Sequence, residues 1–422
     1  MHKVHNFTIG LCLCFQFGFS QVVTNKTTLL HTKVDSIIQD AIRQKAFPGA
    51  TVLVAHKDSI VFHEVFGFHT YDQLVSVSKT DLYDLASVTK ILGPLPALMK
   101  LVEEGKLELD QPFSTYWKPW RKYKDKKDLS LREILAHQAG LIPYIVFLNE
   151  VRTKKGALKK RFVRKQPSKR FKKQAYNGLY VKNRFQHKVF RKINRSKVSP
   201  EKKYTYSGLT FLIFPKLIEQ LTGQAYETYL ANTFYLPVGA KTLGFTPLKK
   251  SVPNALVPTE NDTLFRHSLT TGWVHDENSA LLGGISGNAG LFGTASDVFK
   301  MMSLYQNFGV LEEKQLLNKE TIEEFTSIQY PYNENRRGLG FDKPLIGNDT
   351  LPLSESYPAP RASAQSFGHA GFTGTFAWAD PKNQLVFIFL SNRVHPTRAS
   401  RGLYHMNIRQ KLQQLFYKTL LD

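Results

Sequence analysis

Cysteine is nearly absent: the only two, Cys12 and Cys14, fall within the first twenty residues. Beyond them the chain can form no disulfide, offers a metal no thiolate and has no thiol nucleophile. Long apolar runs are lacking too. After residue 19 none reaches the roughly 20 residues that a membrane-spanning helix needs. Several catalytic fingerprints are also missing. Gly284-Ile-Ser-Gly-Asn288 lacks the last glycine of G-x-S-x-G, His63-Glu64 has no second histidine at metalloprotease spacing, and no P-loop or dinucleotide-binding glycine pattern occurs. Acidic residues are scarce in one stretch. Residues 151–203 hold 21 Lys and Arg against the single acid Glu201, which leaves 36 of the 57 basic and 33 of the 34 acidic residues to the rest of the chain. The net charge of +23 therefore belongs to a local insertion on a nearly neutral body, and no nucleic-acid partner is expected from it.

What is present is a chain of 422 residues, 42% hydrophobic and 12% aromatic, enough to bury a sizeable core. Its start, Met1-His-Lys-Val-His5 followed by a mostly apolar stretch from Phe7 to Phe19, ends in Gly18-Phe-Ser20. This is the pattern of a secretory signal peptide over residues 1–20, so an exported protein, periplasmic or secreted, is expected. Neither cysteine follows the small residue of a lipoprotein signal, because Leu11 and Leu13 precede them. The basic segment 151–203 reads as a solvated basic loop or helix pair, with weak contact to an anionic surface as the functional alternative.

Val34, Ile37, Ile38, Ala41 and Ile42 recur at helical spacing. Two strands, 51–55 and 60–66, follow as a hairpin, and a second hairpin at 376–379 and 385–390 turns at Asp380-Pro-Lys-Asn383. Helices are expected at 87–104, 131–137, 209–221, 297–308 and 401–421, several of them stopped by glycine. Hairpins at both ends with helices between imply an α+β fold. In this reading residues 33–113 and 286–422 form an antiparallel sheet domain flanked by terminal helices, and 114–285 a helix-rich lobe that includes the insertion.

The S-x-x-K pattern occurs three times, at Ser76–Lys79, Ser87–Lys90 and Ser199–Lys202. Only Ser87 opens a helical apolar pattern, through Ile91, Leu92, Leu95, Leu98, Met99 and Val102. Residues i and i+3 share a helix face, so serine and lysine meet in one place. A serine in the first turn sits where free N–H groups and the helix dipole favour negative charge. A desolvated amine disfavours its charged form and can take the serine proton. Taken alone, the pair reads equally as a capping serine with a solvated lysine.

The surrounding motifs decide between these. Ser87-Val-Thr-Lys90, Leu101-Val-Glu-Glu-Gly105, Leu129-Ser-Leu-Arg-Glu133 through His137-Gln-Ala-Gly140, Tyr206-Ser-Gly208, Val274-His-Asp-Glu-Asn278, Gly287-Asn-Ala-Gly290 and Gly368-His-Ala-Gly-Phe-Thr-Gly374 stand in the order of a known family. Together they resemble the serine β-lactamase and penicillin-binding superfamily, nearest to its class C β-lactamase-like branch. The resemblance runs from about residue 33 to 420, apart from 151–203. It implies a β-lactamase-like fold without cofactor or metal, acting on small-molecule or peptide substrates, among them fragments of cell wall. It also implies an acyl-enzyme on Ser87, with Lys90 and Tyr206 sharing base and proton-shuttle work. His369, on an edge strand, would steer charge or protons. Gly371 and Phe372 would contact substrate, the N–H groups of Ser87 and Phe372 forming the oxyanion hole. The activity implied is that of a D-Ala-type peptidase, a β-lactamase or an esterase. Three departures stand out: Gly208 replaces the asparagine of Tyr-x-Asn, Gly93-Pro94-Leu-Pro96 interrupts the helix after Lys90, and the basic insertion has no counterpart. The first of these favours a second reading, a catalytically weak or inactive binder of wall fragments on the same fold.

Overall fold

In the computed structural model, residues 28–250 and 254–422 are described. The signal-peptide reading and both cysteines lie outside them. Along the chain come α1 (28–43), β1 (Gly49–His56), β2 (Ser59–Gly67), α2 (Thr89–Leu92) and α3 (Pro94–Glu103). The insertion contributes β3 (Val163–Arg164), β4 (Lys173–Tyr176), β5 (Leu179–Val181) and α4 (Phe185–Arg195). Then follow α5 (Phe214–Thr222), α6 (Ala295–Gln306), β6 (Phe367–Ala370), β7 (Phe376–Asp380), β8 (Leu385–Ser391) and α7 (Ile408–Leu421).

The main sheet has the order β6-β7-β8-β1-β2, antiparallel throughout, so the two terminal hairpins meet through β1 and β8. Leu53 lies opposite Ile388 and Val54 opposite Phe387. These central strands are apolar at successive positions because both faces are covered. Val52, Val54, Phe387 and Phe389 point to a core closed by α1 and α7. Leu53, Ala55, Val386 and Ile388 point to the other side, into a cluster that continues through α3 and α5. The α+β architecture expected from the two hairpins is the one found. The inner cluster is continuous from the sheet to the middle of the chain, so both halves share one core.

The helix expected over 87–104 is interrupted at Gly93, where the Gly93-Pro94-Leu-Pro96 run placed the break, and Pro94 opens α3 at a position where proline loses no helical hydrogen bond. Two other elements differ from the sequence reading. The closing helix is split: a short turn at Gly402–His405 precedes α7, and Asn407, with φ of 51°, reverses the chain between them. The insertion is neither a solvated loop nor a helix pair. It is a three-stranded antiparallel sheet, β3-β5-β4, carrying one helix, and its Val163, Val181, Phe185, Val189 and Ile193 join the main core. Its basic residues had masked that apolar stripe. Among the described residues no helix is long and apolar enough to cross a membrane.

Candidate active site

Ser87 sits in a single 3-10 turn, Ala86–Val88, that runs into α2. Ala86 takes a left-handed conformation with φ of 46°, costly for a residue with a Cβ. It is held by its N–H, which donates to Asp84 Oδ1 at 2.9 Å, while Asp84 Oδ2 accepts from the His275 N–H at 2.6 Å. A backbone strained and pinned in this way fixes the direction of the following serine.

One turn later Lys90 is 2% exposed. Its Nζ donates to Ser87 Oγ at 3.1 Å and to the carbonyl of Asn288 at 2.8 Å. A lysine almost out of water needs such partners. The other two S-x-x-K lysines pair with acids instead, Lys79 with Glu64 and Lys202 with Glu133. Asn288 is brought in from far along the chain by Gly287, where a Cβ would lie 2.3 Å from the Phe211 carbonyl oxygen. Its side-chain oxygen accepts from Ser279 and Ser286, both at 2.8 Å.

Tyr206 stands above this pair, with Lys90 Nζ 5.5 Å and the Arg337 guanidinium 5.6 Å from its ring centre. Its hydroxyl meets His369 Nε2 at 3.5 Å, and among the described residues it makes no hydrogen bond to Ser87 or Lys90. His369 Nδ1 lies 2.7 Å from the Ala370 carbonyl, so that nitrogen carries the hydrogen and Nε2 is left to accept. Burial, with Arg337 and Lys90 nearby, lowers the His369 imidazole to about 3. It is therefore neutral, and the charge beside the site belongs to Arg337, which pairs with Asp342 at 2.9 Å. His137 flanks Tyr206 on another side, its ring centre 4.6 Å away, and burial first, then Arg337 and Lys90, holds it neutral too.

The turn between β6 and β7 is tied to the stretch that leads into Ser87. Thr373 and Thr375 donate through their hydroxyls to the carbonyls of Asp84 and Leu85, at 2.8 and 2.9 Å. Gly371 permits this approach, since a Cβ there would lie 2.6 Å from the Leu85 carbonyl. Its N–H is bonded to Thr375 and its carbonyl accepts from Arg409, so Gly371 brings closeness to the site and no free polar group. Phe372, 45% exposed, stacks on the Arg393 guanidinium at 4.4 Å.

Two cavities meet at Ser87 and Phe372. One, of about 470 Å³, runs past Tyr144, Val146, Leu148, Leu264 and Gly208. The other, of about 460 Å³, lies towards His369, Arg337 and Arg409. At Gly208 a Cβ would find only Asn288 Cβ, 4.0 Å away, so the space of the missing asparagine is open.

All six residues singled out from the sequence thus line one place. The sequence reading missed Asn288, His137, Arg337 and Asp342. Asn288 acts through a backbone carbonyl, which carries no residue-type signal. His137 stood within a quoted block without a role. The Arg337–Asp342 pair has no spacing motif.

Residues 34–408 match the family described as Beta-lactamase. The chain belongs to that family. A protein of Escherichia coli (strain K12) named "Putative D-alanyl-D-alanine carboxypeptidase" is 29% identical over 373 residues, covering 83% of this chain and 79% of the relative. Among solved structures, EstCE1, a hydrolase with promiscuous acyltransferase activity, superposes with a TM-score of 0.64 at 17% identity over 92% of this chain and 99% of that one. The octameric penicillin-binding protein homologue from Pyrococcus abyssi gives 0.63 at 19% identity, over 92% and 77%. These likenesses in structure agree on the β-lactamase-like fold.

Proposed function

We propose that this member of the family is an exported serine hydrolase that cleaves a carboxylate-bearing peptide of the D-alanyl type through an acyl-enzyme. The observation that carries the reading is the buried Lys90, bonded at once to Ser87 Oγ and the Asn288 carbonyl. Ser87 Oγ attacks the scissile carbonyl as Lys90, in its amine form, takes the hydroxyl proton. The oxyanion faces the N–H groups of Ser87 and Phe372. Tyr206, whose hydroxyl rests on the neutral His369, turns its proton to the leaving amine and takes a proton back from the Lys90 ammonium, so the serine proton ends on the leaving group and Lys90 is again an amine. Water then releases the acyl group by the reverse route. The cavity towards Arg337 and Arg409 is cationic, with only Asp342 to offset it, which suits a leaving group that ends in a carboxylate. The relative's name points the same way. Export rests on the apolar stretch before Ser20 and is checked by sequencing the mature N-terminus, expected at Gln21.

The test is a substrate panel. A fluorescent penicillin should label the wild type and leave Ser87→Ala unlabelled. A peptide ending in D-Ala-D-Ala should release D-alanine, and its C-terminal amide should react at least about 100-fold more slowly. Equal turnover of both peptides would remove the carboxypeptidase assignment and leave a general esterase. Equal labelling of wild type and variant would remove Ser87 as nucleophile. The rival reading, a catalytically silent binder, is favoured by the open space at Gly208. It requires ligand binding without product from any ester or peptide.

A further inference from the structure

We propose that the groove along α4 binds a linear anionic carbohydrate polymer. The groove has a volume of about 800 Å³, and its cationic wall is formed by Arg184, Lys188, Arg191, Lys192 and Arg195. Arg184, Lys188, Arg191 and Arg195 recur at i, i+4, i+7 and i+11, so they form one stripe about 16 Å long at 1.5 Å per residue. Lys188 and Lys192 share the single acid Glu150, at 2.6 Å for Lys188. Among the described residues Arg184, Arg191 and Arg195 have no acidic partner, and all three are exposed. Like charges one turn apart repel, and Glu150 offsets only the two lysines, leaving the three arginines uncompensated. An external polyanion compensates them.

The helix is an anchored part of the protein. Asn194 Oδ1 accepts from the indole N–H groups of Trp117 and Trp120, at 2.9 and 3.0 Å. Phe190 packs edge-on against Trp117, and Phe185 against Phe162. The apolar face is thereby used up, leaving no side to insert into a bilayer as an interfacial helix does. His187 is the only ring that lines the groove, and neither Phe, Tyr nor Trp does, so a run of unpaired bases would find no row of aromatic rings to stack on. The opposite wall is Ile142 and Ile145, which offer an apolar surface to the C–H faces of sugar rings.

The same short strip of chain forms the wall of the catalytic cavity. Ile142 and Ile145 face the groove, while Pro143, Tyr144 and Val146 face the cavity beside Ser87. A polymer held on α4 therefore lies one chain thickness from the active site and keeps the enzyme on a polymer-rich surface. This inference stands on the charge and shape of α4 alone and does not depend on the reaction at Ser87.

The experiment titrates the full chain with polygalacturonate and dextran sulfate, against neutral dextran, phosphatidylglycerol vesicles and duplex DNA, over a range of salt. The expected result is binding of both anionic glycans, with log affinity falling linearly with log salt. The combined variant Arg184→Gln, Arg191→Gln and Arg195→Gln should lower that slope by about 2 and weaken binding at least about 10-fold. Hydrolysis of a small nitrophenyl ester should be unchanged in that variant, which shows that it is folded. Binding by the wild type that ignores salt, equal binding of neutral dextran, an unaltered slope in the variant, or tighter binding to vesicles or DNA than to glycan at equal salt would each overturn the proposal.

Discussion

Tyr206 is held among charges and rings that differ in kind. The Lys90 amino group and the Arg337 guanidinium lie near its ring, and His137 and His369 supply two neutral imidazoles. Neutral histidines have a consequence for stability. His369 binds its proton at about 3 in the folded chain and near 6.5 when unfolded, so the unfolded state takes up more protons between those values. The stability it contributes is complete above pH 6.5 and is lost as pH falls towards 3. His137 shifts in the same direction. Between pH 6.5 and 4.5 unfolding free energy should fall by up to about 1.4 kcal/mol per pH unit through His369, with His137 adding in the same direction. Urea midpoints at pH 7 and 5 measure this, and His369→Gln should show a smaller drop than the wild type. Gly208 offers a second test. Its Cβ space is open and its φ is not left-handed, so Gly208→Asn should fold normally. If the missing amide limits turnover, kcat/KM on an amide substrate rises about tenfold, the worth of one hydrogen bond. An unchanged rate would show that the pocket has replaced it.

At the scale of elements, the break between α2 and α3 positions the turn that carries Ser87 and Lys90. Gly93 donates its N–H to the Thr89 carbonyl at 2.7 Å, and a Cβ there would lie 2.7 Å from that same oxygen and 2.8 Å from the Tyr226 hydroxyl. Gly93→Ala should cost about 1–3 kcal/mol by overpacking. Thr89, whose carbonyl would be pushed, precedes Lys90 in α2, so kcat should fall while KM changes little. Thermal unfolding and steady-state kinetics on one ester test both parts. The proline that follows is no fault in the helix, since it starts a new one. A sequence pattern shows that a proline interrupts; it does not show that a glycine before it has turned the chain.

At the scale of the whole molecule, the insertion belongs to the core. Deleting 151–203 removes Val163, Val181, Phe185, Val189 and Ile193 from the main cluster, each buried side chain being worth about 1.5–3 kcal/mol. The deleted protein should fail to fold or should melt far below the wild type in calorimetry. The triple arginine variant on α4 should melt at or slightly above the wild-type temperature, because those side chains are on the surface and their mutual repulsion is removed.

Much of this was legible in the chain itself. The terminal hairpins announce their strands by apolar runs and turn residues, and the pairing of both ends follows from where those runs stand. Ser87, Lys90, Tyr206 and His369 carry residue types and spacings that sequence motifs record. Local pattern is enough there because the chemistry depends on side chains a few residues apart or in recognisable blocks. Only the tertiary structure decided the rest. The second partner of Lys90 is a carbonyl 198 residues away, the neutral state of His369 comes from burial beside Arg337, and the basic insertion proved to have an apolar face. Backbone carbonyls, desolvation and through-space charge leave no mark in the order of residues. The sequence determined which groups could act, and folding determined which of them meet and in what state of charge.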